Sequence, residues 1–99
     1  MENITVTELK ERLDNGEKLN LIDVRQPEEV ATFNIGGINV PLKKIQEMEI
    51  DEIAGLADKE VICYCRSGGR SARACQFLED QGFTNVKNMV GGVLAWQKM

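Results

Sequence analysis

"VICYCRSGGRSARACQFLEDQ", residues 61–81, reads as three pieces in direct succession. "VICYC" (61–65) is short and apolar and opens on two β-branched residues, the composition of a buried strand. "RSGGR" (66–70) follows as a loop, because paired glycines break regular structure and let the backbone turn tightly. Ser71 is a good helix-capping residue, and "ARACQFLEDQ" (72–81) then places Ala74, Cys75 and Leu78 on one face. Gly82 suits the position just past a helix end. Strand, tight loop and helix in this order form one half of a strand–helix–strand unit.

The rest of the chain repeats that alternation. "NLIDV" (20–24) is a second strong strand candidate, and "INV" (38–40) and "NVKNMV" (85–90) are weaker ones. Thr7 is read as the cap of a helix that carries Leu9 and Leu13 on one side. Pro27 suits a first helical position, with Glu28 and Glu29 favoured by the positive helix start. Residues 42–57 space Leu42, Ile45, Met48, Ile50, Ile53 and Leu56 as one long or two short helices. Gly91 and Gly92 make a turn before a short last helix carrying Trp96. Strands alternating with helices predict an α/β fold with a mostly parallel sheet covered on both faces. At 99 residues this is one domain, spanning 1–99, with a single modest core.

Composition narrows the function. A net charge of −4 argues against nucleic acid or an anionic membrane as the main partner. No apolar run approaches the ~18 residues of a membrane span. The first ten residues have no signal-peptide layout, so a soluble, cytoplasmic protein is expected. Three cysteines cannot pair completely, which agrees with a reducing compartment. A metal site on Cys63, Cys65 and Cys75 is not expected, since there are three sulfurs, no histidine and no CxxC spacing. No cofactor is expected either.

The chemistry concentrates on Cys65. It lies at the C-terminal end of a strand, where open α/β sheets bind ligands. The loop that follows, Arg66, Ser67, Gly68, Gly69 and Arg70, and then Ser71, can turn successive N–H groups toward an anion. Arg66, Arg70 and Arg73 add charge, with no carboxylate between residues 61 and 78. Helix starts and cations lower a cysteine pKa from ~8.5 into the range of about 3.5–7.5. The chain has no histidine, which excludes histidine-based dyads and triads. What remains is a stabilised sulfur anion that attacks and leaves with little proton transfer. Sulfur transfer through a persulfide and phosphoryl transfer through a cysteine both fit that description. Cys63 and Cys75 read as core residues, and Asp23 and Arg25 as an ion pair that braces loops. One of Glu28 and Glu29 is placed to pair with Arg25, and Gly91 and Gly92 serve backbone geometry.

At this point the chain resembles a known family, the single-domain rhodaneses, which are sulfurtransferases. "LIDVRQPEEV" (21–30) resembles the family's Asp-Val-Arg strand end and glutamate-containing helix start. "NIGGINVPL" (34–42) resembles its Asn-Ile-Pro-Leu type turn, and "YCRSGGRSARA" (64–74) its active-site loop and following helix. "FLEDQGFTNVKNMVGGVLAW" (77–96) resembles its C-terminal Leu, Gly-Phe, Gly-Gly and Ala-Trp pattern. The resemblance implies five strands, a persulfide on Cys65 and a cradle formed by residues 66–70. The two loop arginines suggest a small anionic sulfur donor such as thiosulfate over an uncharged one, and a small thiol, cyanide or a protein thiol stays open as sulfur acceptor. One departure stands out: Phe33, Asn34 and Ile35 occupy the place of the family's usual Gly-His-Ile. Two alternatives stay open at the level of sequence, a non-catalytic binding or sulfur-carrier module and a cysteine-dependent phosphatase or arsenate reductase. The phosphatases resemble this loop but carry one more residue between cysteine and arginine.

Overall fold

A computed structural model describes residues 1–99. Five strands, β1 (Glu2–Ile4), β2 (Asn20–Asp23), β3 (Ile38–Asn39), β4 (Glu60–Tyr64) and β5 (Asn85–Met89), form one sheet in the order β1-β5-β4-β2-β3. Every pairing is parallel, and β4 is the central strand. The predicted parallel α/β sheet is therefore present, with "VICYC" at its middle. β1 is an addition, since three residues ending in one buried side chain, Ile4, give no periodic signal of their own.

The chain covers both faces because it crosses the sheet in both directions. The crossover from β1 to β2 runs one way, and those from β3 to β4 and from β4 to β5 run the other. Right-handed crossovers then fall on opposite faces. One face buries Ile22, Val24, Val61, Cys63 and Val86 against Ile45, Ile53, Ala74, Cys75 and Leu78. These come from α3 (Leu42–Gln46), a 3₁₀ helix (Asp51–Leu56) and α4 (Gly69–Asp80). The other buries Leu21, Ile62, Tyr64 and Met89 against Leu9 of α1 (Val6–Asp14) and Val93 of α5 (Gly92–Gln97). Alternate residues of β4 thus enter two separate cores, the period-2 rule of a strand buried on both sides. Trp96 is partly buried against the second core.

Two helix boundaries differ from the sequence expectation, each for a local reason. Thr5, not Thr7, caps α1. Its hydroxyl accepts from the Glu8 N–H at 3.0 Å, and the Glu8 carboxylate accepts from the Thr5 N–H at 3.2 Å. That reciprocal pair needs an acid three residues on, and Thr7 has Lys10 there. Residues 42–57 take the second of their two expected arrangements, two short helices, broken at Met48, which is exposed and has φ +62°. The second difference is α4, which begins at Gly69, two residues before Ser71. Gly68 takes the cap position at φ +109°, a conformation that costs glycine little. The helix start therefore comes almost directly beneath Cys65.

Candidate active site

Parallel strands all end at the same edge of the sheet, so the segments after β2, β4 and β5 meet there. Cys65 follows β4 immediately and is 1% exposed. Its Sγ accepts hydrogen bonds from the Gly68 N–H at 3.1 Å and the Ser71 N–H at 3.4 Å. The Ser71 Oγ lies 3.5 Å away. The first turn of a helix leaves its N–H groups without intrahelical acceptors. Here the sulfur takes two of them, and so acts as part of the cap of α4.

Burial pushes the Cys65 thiol up, but hydrogen bonds from the Ser71 hydroxyl and from the N–H groups of Ser71, Gly68 and Ser67 outweigh it. The net result lies below the ordinary thiol value. Hydrogen bonds, rather than arginine charge, do most of this. The other two cysteines are different. Cys63 and Cys75 are fully buried. The Cys75 thiol and burial both push Cys63 well up, and Cys75 Sγ faces the Lys87 carbonyl at 3.5 Å.

The arginines separate into two kinds. Arg70 donates Nη1–H to Glu29 Oε1 at 2.6 Å and Nη2–H to Glu29 Oε2 at 2.8 Å. Its fork is therefore occupied, and the expectation of a loop free of carboxylates is corrected. No acid lies near in sequence, but α2 (Pro27–Thr32) brings one across. The same contact corrects the expected pairing of α2's acids with Arg25. Arg25 instead binds Asp23, at 2.9 and 2.8 Å, and the Phe33 carbonyl at 2.6 Å. The Arg70 guanidinium holds Glu29 down at about 2, helped by the Gln26 N–H. Arg66 is exposed and has no carboxylate partner. It borders a cleft of about 240 Å³ whose other walls include Arg25, Thr32, Phe33, Leu94 and Gln97. A larger cleft of about 470 Å³, among Glu2, Glu8, Arg12 and Lys87, is lined largely by charges and includes no nucleophile.

The first turn of α5 holds the loop from behind. The Val93 N–H donates to the Cys65 carbonyl at 2.9 Å and the Leu94 N–H to the Arg66 carbonyl at 3.0 Å. With those carbonyls held by α5, the loop's N–H groups are left to face the sulfur. A Cβ at Gly92 would lie 2.5 Å from the Arg66 and Cys65 carbonyl oxygens, and φ there is +58°. Only glycine lets α5 come this close.

Asn88 completes the constellation, and nothing in the local sequence marks it, since β5 also carries Asn85 and Lys87. It is 5% exposed. Its Oδ1 accepts from the Ser71 hydroxyl at 2.5 Å, and its Nδ2–H points at the Gly68 carbonyl at 3.4 Å. Ser71, read as a cap, is instead a fully buried first-turn residue that joins Cys65 to Asn88.

Comparison with known proteins agrees with this architecture. The rhodanese-like domain model matches residues 5–99. A sulfurtransferase of Allochromatium vinosum is 38% identical over 91 residues, covering 91% of this chain and 82% of that protein. A rhodanese-like domain protein from Staphylococcus aureus superposes with a TM-score of 0.84 at 29% identity, over 97% of this chain and 91% of that one. A human single-domain sulfurtransferase gives 0.82 at 25% identity, over 99% and 96%. Matched along nearly its whole length in sequence and in fold, the chain belongs to the rhodanese-like domain family.

Proposed function

We propose that the protein is a sulfurtransferase that carries sulfane sulfur as a persulfide on Cys65. The observation that carries this reading is the thiol's setting. One sulfur lies within hydrogen-bond reach of two backbone N–H groups and a hydroxyl, at a helix start, in a chain without histidine. Such a setting stabilises a sulfur anion and supplies no general base. It suits a nucleophile that also has to leave.

With thiosulfate as donor, the Cys65 thiolate attacks the outer sulfur. A new S–S bond forms, the donor's S–S bond breaks, and sulfite leaves with the electron pair. Cyanide or a thiolate then attacks the terminal sulfur of the persulfide, and Cys65 departs as thiolate. No proton has to move in either step, which agrees with the missing base. The charge on the transferring sulfur is met by N–H donors that are already in place. Arg66, as the loop's unpaired cation, draws an anionic donor to the neighbouring cleft. Arg70 fixes the far end of the loop through Glu29. Ser67, Gly68, Gly69 and Ser71 supply cradle backbone.

Four residues separate Cys65 from Arg70. That length favours a single sulfur over a tetrahedral phosphoryl group with its oxygens. The test runs thiosulfate-to-cyanide transfer and aryl phosphate hydrolysis on one preparation. Sulfur transfer without phosphatase turnover is expected. Phosphatase turnover that disappears in Cys65→Ser, with no sulfur transfer, would overturn the reading. Failure of both, with a folded protein, would favour a binding or carrier module.

A further inference from the structure

The proton inventory around Cys65 is uneven. Ser71 has one hydroxyl proton and three acceptors in reach: Cys65 Sγ at 3.5 Å, the Gly68 carbonyl at 3.1 Å and Asn88 Oδ1 at 2.5 Å. A hydroxyl donates once and accepts through its lone pairs. Asn88 Oδ1 is the nearest of the three, and a proton donated to it is withheld from the sulfur. The lone pairs of Ser71 Oγ are then what the sulfur meets, and that suits a thiol, whose S–H can donate to the oxygen. A thiolate has no proton to give and is served only if the Ser71 hydroxyl turns to it.

We propose that Asn88 is a positioning residue for Cys65, acting through the Ser71 hydroxyl; the inference rests on Cys65 being the sulfur carrier. The side-chain amide has an acceptor end and a donor end of nearly the same shape. With Oδ1 toward Ser71, the chain of bonds runs from Cys65 S–H to Ser71 Oγ and from Ser71 O–H to Asn88. When Cys65 ionises, its proton leaves to solvent. The amide turns over, Nδ2–H donates to Ser71 Oγ, and Ser71 O–H donates to the thiolate. The turn gives up the 3.4 Å contact to the Gly68 carbonyl and leaves Asn88 Oδ1 facing that carbonyl, a cost the bond to the thiolate has to exceed. Asn88 and Ser71 are both buried, so water does not substitute for either partner. Asn88 thus lets the same pocket serve sulfur as a proton donor and as an anion. The leaving Cys65 thiolate of sulfur transfer has the same need.

A carboxylate at this position can only accept, so Asn88→Asp fixes the Ser71 proton away from the sulfur. Losing one hydrogen bond to a charged group raises a pKa by about one unit or more. The Cys65 midpoint is read from alkylation against pH, followed by mass spectrometry. It needs no turnover, so its failure is separate from a failure of sulfur transfer itself. Other charged and titratable groups near Cys65 are the Glu29–Arg70 pair, Arg66, the Asp23–Arg25 pair, and the thiols Cys63 and Cys75. They are common to every variant compared. Asn88→Asp should raise the midpoint by about one pH unit beside Ser71, and this rise should largely vanish on a Ser71→Ala background. An equal rise in both backgrounds would mean a through-space charge effect and would overturn the proposal. Where Asn88→Asp does not fold, the wild-type protein decides. Its Asn88 side-chain amide NMR signals should shift with the Cys65 midpoint, and should not do so in Ser71→Ala. Signals that stay flat through the wild-type titration would overturn it as well.

Discussion

Glu29 and Arg70, 41 residues apart in sequence, meet through two parallel N–H···O bonds of 2.6 and 2.8 Å. The pair joins α2 to the first turn of α4, one residue before the Ser71 N–H that faces Cys65. It is only partly buried, so its worth to global stability is small, under about 1 kcal/mol. Its consequence is local. Two-point attachment fixes the direction of a side chain as well as its distance.

Arg70→Lys keeps the charge and loses the fork. It should lower sulfur-transfer rate by about tenfold while stability changes by less than about 1 kcal/mol. Glu29→Gln should do the same, and the double variant should be little worse than either. Steady-state kinetics beside urea unfolding checks this. Independent, multiplying losses would show that the two residues do not act as a pair.

Gly92→Ala tests the support behind the loop. The new Cβ meets the Arg66 and Cys65 carbonyl oxygens at 2.5 Å and strains a φ of +58°. The variant should lose more than ~2 kcal/mol and melt about 8 °C or more lower. Its Cys65 should also lose its depressed midpoint, because α5 no longer holds the Cys65 and Arg66 carbonyls. A melting temperature equal to wild type would contradict the close approach of α5 and loop.

How the site reads from sequence divides along a physical line. Cys65, its loop and the strand before it are contiguous, and glycine, serine and arginine announce local backbone chemistry. The covering of both sheet faces was legible in the alternation of strands and helices, but the split into two cores was not: the chain's length suggested one, and only the parallel neighbours on both sides of β4 send alternate residues of "VICYC" to opposite faces. Glu29 pairing with Arg70 is a contact between α2 and the first turn of α4. It depends on where the sheet places two segments, and local spacing said only that α2 begins with acids. Ser71 fitted a cap by type, but Gly68's left-handed backbone starts the helix earlier and turns Ser71 inward. Asn88 was silent because its role exists only once α4 lies on β5.

The pH dependence of stability follows from the direction of the Cys65 shift. The folded pKa lies below that of the unfolded thiol, ~8.5, so the folded state binds fewer protons in that window. The contribution is therefore fully present above the unfolded pKa and is lost as pH falls through the folded one. Wild type should gain stability relative to Cys65→Ser as pH rises from about 5 to about 10. Urea midpoints across that range check the sign. A difference that shrinks with rising pH would mean the thiolate is not stabilised by the fold.

The three cysteines should also separate by reactivity. Under native conditions iodoacetamide should modify Cys65 well before Cys63 or Cys75. Cys65 has a lowered pKa, whereas the Cys75 thiol and burial push Cys63 up. In denaturant all three should react at similar rates. Native labelling of Cys63 or Cys75 as fast as Cys65 would contradict the assignment.

The central claim, that Cys65 carries sulfur as a persulfide, is tested most directly by intact mass after incubation with thiosulfate and removal of small molecules. Wild type should gain the mass of one sulfur and lose it again on adding cyanide. Cys63→Ala and Cys75→Ala should behave as wild type, and folded Cys65→Ser should gain nothing. An unchanged wild-type mass, or a sulfur that still appears on Cys65→Ser, would contradict the account.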